Sequence, residues 1–153
     1  MNDLALLLVP NLIRPGDFAV EIRVDGECLI DHVLRVEEDY WQSVGADPNS
    51  RHYSWVWARD MLLPSRHLLG VPATPWFLDF SEILACSCGE VACRAIAVRS
   101  HVWPSHIGWL AWRQFPVAES SHRCGFRPLL FRRHQYEAEL TRVSLEYRLA
   151  RSV

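Results

Sequence analysis

Apolar and polar residues alternate most cleanly over Phe18-Ala19-Val20-Glu21-Ile22-Arg23-Val24, which puts Phe18, Val20, Ile22 and Val24 on one face of a strand. Asp25-Gly26 follows at once, a dipeptide favoured in two-residue hairpin turns, so Glu27-Cys28-Leu29-Ile30 reads as the returning strand. Asp31 then caps a helix that runs to Val44 and turns Val33, Val36, Tyr40 and Val44 toward the core. Ahead of the hairpin, Leu4 to Val9 is a short apolar run stopped by Pro10, with Asp3 in front of it instead of a basic residue. It reads as a buried strand, since a membrane helix needs about 20 apolar residues and a leader begins with positive charge.

The stretch from Ile83 to Phe115 organises the second half. Cys86, Cys88 and Cys93 cluster around Gly89, and two apolar runs come after them, joined at Trp103-Pro104-Ser105-His106. This is the pattern of a cysteine-lined turn opening a hairpin. Its first strand carries Ile96, Val98 and Val102 on one face and Ala95, Ala97 and Trp103 on the other; its partner sets Trp109 and Phe115 against Leu110 and Trp112. Strands apolar on both faces belong inside a sheet that a helix covers on at least one side. The helix comes last: from Arg133 to Ala150, Tyr136, Leu140, Val143, Tyr147 and Ala150 recur at helical spacing, and Glu139 and Arg142 form an i,i+3 pair of opposite charge. The pattern predicts a single α+β domain over 1–153: an antiparallel sheet of five or six strands built from hairpins, with the C-terminal helix packed on one face.

Between these elements the chain is less regular. Gly45 to Ser50 is a loop by composition, Tyr53, Trp55 and Trp57 fall at strand spacing, and Pro64, Gly70, Pro72 and Pro75 break up the segment beyond Trp57. Long irregular segments in compact domains often carry contacts, and Trp is frequent in binding hot spots. Trp55, Trp57, Trp76 and Phe77 are therefore the first candidate contact surface. The alternative is that the same rings plug the core beneath a covering loop.

Composition adds limits. A chain of 153 residues, half of them apolar and with seven Trp, supplies one core without help from disulfides. Five cysteines in a chain of this size, with no leader, point to a reducing cytoplasmic compartment. All sixteen basic residues are Arg, which biased codon usage explains most simply and which also suits stacking on aromatic rings. The charges are lopsided: residues 1–93 hold six Arg against fourteen acidic residues, whereas residues 94–153 hold ten Arg against four Glu. The reading favoured is that the two halves neutralise each other; the other is a basic patch for an acidic partner. A net charge of −2 is not that of a nucleic-acid binder.

The cysteines carry the most specific chemistry. Three thiolates around a glycine turn can share one zinc ion, with Cys124, or His122 beside it, as the fourth ligand. Cys86, Cys88, Cys93 and Cys124 are thus candidate ligands for one structural zinc; a redox pair and a purely structural role remain open beside it. No nucleophile elbow, phosphate loop, H-E-x-x-H or dinucleotide fingerprint is present. Taken together, Asp25-Gly26 in an early hairpin, Pro64-Ser65-Arg66-His67-Leu68-Leu69-Gly70, the Cys-x-Cys-Gly-x-x-x-Cys turn, the strand ending in Trp112-x-x-Phe115, and Phe131 with Gln135-Tyr136-Glu137-Ala138 resemble a family of small uncharacterised bacterial proteins. That resemblance implies a bacterial cytoplasmic source and no activity. The expectation is a non-catalytic module that grips another protein, of an immunity or regulatory type, without nucleic acid or membrane. The competing class is a zinc- or thiol-dependent enzyme centred on the cysteine turn.

Overall fold

A computed structural model describes residues 1–11, 14, 16–44, 53–74, 77–87, 95–115 and 126–152. In chain order these form β1 (Leu4–Pro10), β2 (Phe18–Val24), β3 (Glu27–Cys28), α1 (Leu29–Val44), β4 (Tyr53–Trp57), the single turn of helix α2 (Ala58–Met61), a 3-10 turn (His67–Leu69), β5 (Ser81–Cys86), β6 (Ala95–Val102), β7 (His106–Phe115), β8 (Leu129–Arg132) and α3 (Arg133–Arg151). The strands pair antiparallel in the order β1-β2-β4-β5-β6-β7-β8, with β3 also on β2. The α+β expectation holds. The described residues contain eight strands, not five or six, the additional strands β5 and β8 accounting for the difference.

Asp25 and Gly26 both take positive φ, 53° and 82°, as a tight hairpin turn requires. The Asp25 carboxylate accepts the Asp3 N–H at 2.8 Å and the Asn2 amide at 2.7 Å, which holds its carboxyl below the ordinary range. The returning strand is shorter than expected. It ends at Cys28, and α1 begins at Leu29, so Asp31 lies in the first helical turn instead of capping it. The buried stripe of α1 is also different: Leu29, Val33 and Glu37 are fully buried while Val36 is half-buried, and the side chains of Tyr40 and Val44 lie outside the description. A carboxylate fits there because the Tyr53 hydroxyl donates to Glu37 at 2.8 Å and the Gln114 amide donates at 3.0 Å.

Strict alternation fails in β7 for a physical reason. The β6–β7 register shifts between Arg99 and Ser100, where Leu110 is the extra residue, so Trp109 and Trp112 both turn inward. Their rings meet edge to face at 6.0 Å, where the sequence pattern had put them on opposite faces. A similar shift between Glu82 and Leu84 buries both Ile83 and Leu84.

The sheet curls until its first and last strands meet. Asn2 bridges Phe131 in parallel, its N–H donating to the Leu130 carbonyl at 2.7 Å. Beyond that point α3 takes the place of a strand. Gln135 accepts the Leu4 N–H at 3.0 Å and donates to the Leu4 carbonyl at 2.6 Å, Glu139 accepts the Leu6 N–H at 2.8 Å, and Arg142 donates to the Leu6 carbonyl at 2.8 Å. The predicted stripe faces the core: Tyr136, Leu140, Val143 and Tyr147 are buried, together with Ser144, which accepts the Leu63 N–H. The Tyr136 hydroxyl accepts from the Trp109 indole at 3.1 Å and donates to the Leu68 carbonyl at 2.6 Å, tying α3, β7 and the 3-10 turn together.

Replacing Glu139 by Ala leaves the part-buried Leu6 N–H without its acceptor. We expect a loss of about 1–3 kcal/mol in urea unfolding. The exposed i,i+4 pair of Glu137 with Arg133 serves as the control, and Glu137→Ala should cost no more than about 0.5 kcal/mol. Equal losses for the two would show that Glu139 acts only through its ion pair with Arg142.

Candidate functional site

Of the expected metal ligands only Cys86 is described. It ends β5, half-buried, opposite Tyr53 in the register. Cys88, Cys93, Cys124 and His122 lie outside the described residues, as does Trp76. Among the described residues no group of three or more His, Cys, Asp or Glu is gathered to hold an ion.

The aromatic candidates divide. Trp55 is half-buried, packs against the main core, and borders a cavity of about 350 Å³. Trp57 lies under two guanidinium groups, Arg59 at 4.0 Å and Arg14 at 4.5 Å from its ring centre. Phe77 is only 1% exposed and packs with Phe80, Ala95, Ala97 and Ala111, so its ring plugs a small second core and offers no surface. Its neighbour does the opposite. Leu78 is 74% exposed and has a φ of 59°, in a turn closed by the Phe80 N–H on the Phe77 carbonyl at 3.0 Å. A bulky apolar residue held in the left-handed region and turned to water is strained and costly.

A larger apolar surface lies on the outer face of β6, β7 and β8. His101, Gly108 and Leu130 stand in one row across the three strands, and His106 faces Arg132 in the next. Gly108 is the floor. A Cβ there would meet Leu110 at 2.8 Å and both Leu130 and Trp103 at 3.0 Å, so three side chains converge on bare backbone. The bulge that turns Trp109 and Trp112 inward leaves Leu110 on this side, 39% exposed like Leu130.

Trp103 has two ring neighbours. The His106 ring stacks on it at 4.5 Å and the His101 ring meets it edge to face at 4.3 Å. The Trp103 N–H donates to the His106 carbonyl at 2.8 Å, and Arg133, the first residue of α3, donates to the Trp103 carbonyl at 3.2 Å. Around this centre stand Arg99, Arg132 and Arg133, paired at the surface with Asp79, Asp3 and Glu137. The Leu78 turn joins the rim through Asp79, whose carboxylate is 2.8 Å from Arg99.

A second group of ionisable residues lies on the far side of β5. His67 is buried, its Nε2–H donating to the Glu82 carbonyl at 2.6 Å and its Nδ1 accepting the Ala73 N–H at 3.0 Å. Both ring nitrogens are thus occupied in the neutral form, and burial pushes the imidazole below its ordinary value. Burial, with the Asp60 carboxylate adding to it, pushes the Glu82 carboxyl up to about 7. Since Glu82 favours its protonated form in the folded state, its contribution is fully present below its unfolded value of 4.5 and is lost as pH rises through about 7. His67 works in the reverse direction, its contribution fading as pH falls below its unfolded 6.5. Glu82→Gln should therefore flatten the fall in unfolding free energy between pH 5 and 7.5, on the order of 2 kcal/mol, and an unchanged profile would show that Glu82 is ionised at little cost. No protein-family model matches the chain, and no curated protein and no solved structure matches it either.

Proposed function

We propose that the protein is a non-catalytic binding module of an immunity or regulatory type, and that it holds an acidic surface of another protein against the Trp103 face. The observation that carries this is the convergence of Trp103, Leu110 and Leu130 on Gly108. It is an apolar centre on paired strands, which gives a preorganised surface and little ordering cost on binding. The rim is cationic. Arg99, Arg132 and Arg133 are held by exposed ion pairs, which are worth little in water and exchange readily for carboxylates of a partner.

The same geometry favours protein over nucleic acid. A base needs an open aromatic face to stack on, and the Trp103 ring already has His106 stacked on it and His101 edge to face against it. Leucines beside it fit an apolar side chain of a protein better than a base or a phosphate.

The test is photo-crosslinking in the source cell with p-benzoylphenylalanine at position 130, and at position 149 on the outside of α3 as control. We expect a protein adduct at 130 that is absent at 149. With that partner purified, Trp103→Ala should weaken binding by about 2 kcal/mol or more, the scale of a hot spot, without loss of helix or sheet by circular dichroism. Raising salt should weaken it further. Adducts at both positions alike, a nucleic-acid adduct at 130, or affinity indifferent to Trp103→Ala would overturn the proposal.

A further inference from the structure

We infer that Arg113, with Arg99 beside it on the Phe80 ring, forms a binding site for a phosphate-class oxyanion carrying two negative charges, either free phosphate or a phosphate monoester. The pairing of β6 with β7 brings the two arginines together. Arg113 stands opposite Ala97 and Arg99 opposite Ala111, so they are diagonal neighbours on one face of the sheet. Such neighbours are about 7–8 Å apart along the backbone, within reach of long side chains. Both guanidinium groups lie over one ring, Arg99 at 4.8 Å and Arg113 at 5.1 Å from the centre of Phe80. That ring is itself buried, packed with Phe77, Ala95, Ala97 and Ala111.

Arg113 is the group that calls for a ligand. Its Nε is shielded from solvent and has no hydrogen-bond partner, and among the described residues no carboxylate pairs with it. Asp79 turns to Arg99 instead, at 2.8 Å. Glu82 stands in the same row as Arg113, beyond Ala97, but its carboxyl, pushed up to about 7 by burial and by Asp60, is no full counter-charge near neutral pH. A half-buried guanidinium without a counter-charge has lost part of its hydration, and its field reaches an incoming anion less screened than that of an exposed cation. The outer nitrogens of Arg113 are not shielded as Nε is, so an anion meets them from solvent.

Charge sets the class of ligand. Two guanidinium groups on one ring repel each other, and a dianion relieves both, whereas a carboxylate such as Asp79 answers only one. Their forked donors suit the several oxygens of a phosphate. The Arg99–Asp79 pair is largely in water, with 51% and 62% of the two side chains exposed, and yields at little cost. The diester phosphates of a nucleic acid carry one charge each and match the pair less well. The site shares Arg99 with the rim of the Trp103 face but does not rest on that reading, because Arg113 stands outside it.

Calorimetric titration of the full chain with inorganic phosphate, methyl phosphate, dimethyl phosphate and acetate, all at one ionic strength, reads the site directly. We expect saturable one-site binding of inorganic phosphate, methyl phosphate or both, at least about tenfold tighter than that of dimethyl phosphate or acetate. Binding should weaken as pH drops through about 6, where the dianion takes up a proton. Whichever phosphate binds more tightly tells a free ligand from an esterified one. Arg113→Gln should bind at least about tenfold more weakly, and Arg113→Lys, which keeps the charge but loses the fork, should fall between. Arg99→Gln changes a half-exposed side chain and should weaken binding as well. The inference is overturned if neither phosphate binds saturably, if dimethyl phosphate or acetate binds as tightly, or if the altered chains that keep the native circular dichroism bind phosphate unchanged.

Discussion

Leu4 and Leu6 turn backbone groups away from β2, and a sheet that ended there would present an open edge to any passing strand. Side chains of α3 close it. Gln135 meets both groups of Leu4, while Glu139 and Arg142, paired with each other at 2.8 Å, meet the N–H and the carbonyl of Leu6. Helical spacing of four and three sets these side chains against alternate residues of the strand. The neighbouring side of α3, one residue further on, buries Tyr136, Leu140, Val143 and Tyr147. One helix thus completes both the hydrogen bonding of the sheet and the core inside it. The partners are 131 to 136 residues apart, so the sheet is closed only when both ends of the chain are present.

This explains which elements were legible in the sequence. The Asp25-Gly26 hairpin and the α3 stripe follow from local chemistry, a turn dipeptide and a helical period, and both stand where the pattern put them. The polar residues of α3 read only as a charged outer face, because nothing local tells that Gln135, Glu139 and Arg142 answer a strand more than 130 residues away. Alternation misplaced Trp109 and Trp112 for a related reason: a bulge changes the parity, and its signal lies in the pairing of two strands. Glu37 escaped notice in the same way, since its burial depends on Tyr53 and Gln114, which come from other elements.

The Trp103 face was not the contact surface to which the sequence pointed. Aromatic content pointed to residues 45–80, where Trp55 borders a cavity and Phe77 turned out to be core. The local signal for the outer face was Gly108, a glycine inside a strand of apolar residues, where only close approach by other side chains explains the missing one. The all-Arg composition also finds a use. Guanidinium groups lie over Trp57, Phe80 and Tyr147, which the flat fork of Arg does and an ammonium does less well. Codon bias and stacking are compatible accounts of the same residues.

The lopsided charge resolves in an unexpected place. Among the described residues two ion pairs join the acidic first part of the chain to the basic second part, Arg99 with Asp79 and Arg132 with Asp3, and both lie on the rim of the Trp103 face. Mutual neutralisation is thus seen at two of the arginines that would make up a basic patch, Arg99 and Arg132. Closure of the sheet helps to place these groups, because the Asn2 bridge to β8 brings Asp3 near Arg132 and the start of α3 holds the Trp103 carbonyl through Arg133. The seam and the face share residues, so a partner that drew Arg132 away from Asp3 would act on the surface alone, leaving the Gln135, Glu139 and Arg142 contacts to keep the sheet closed.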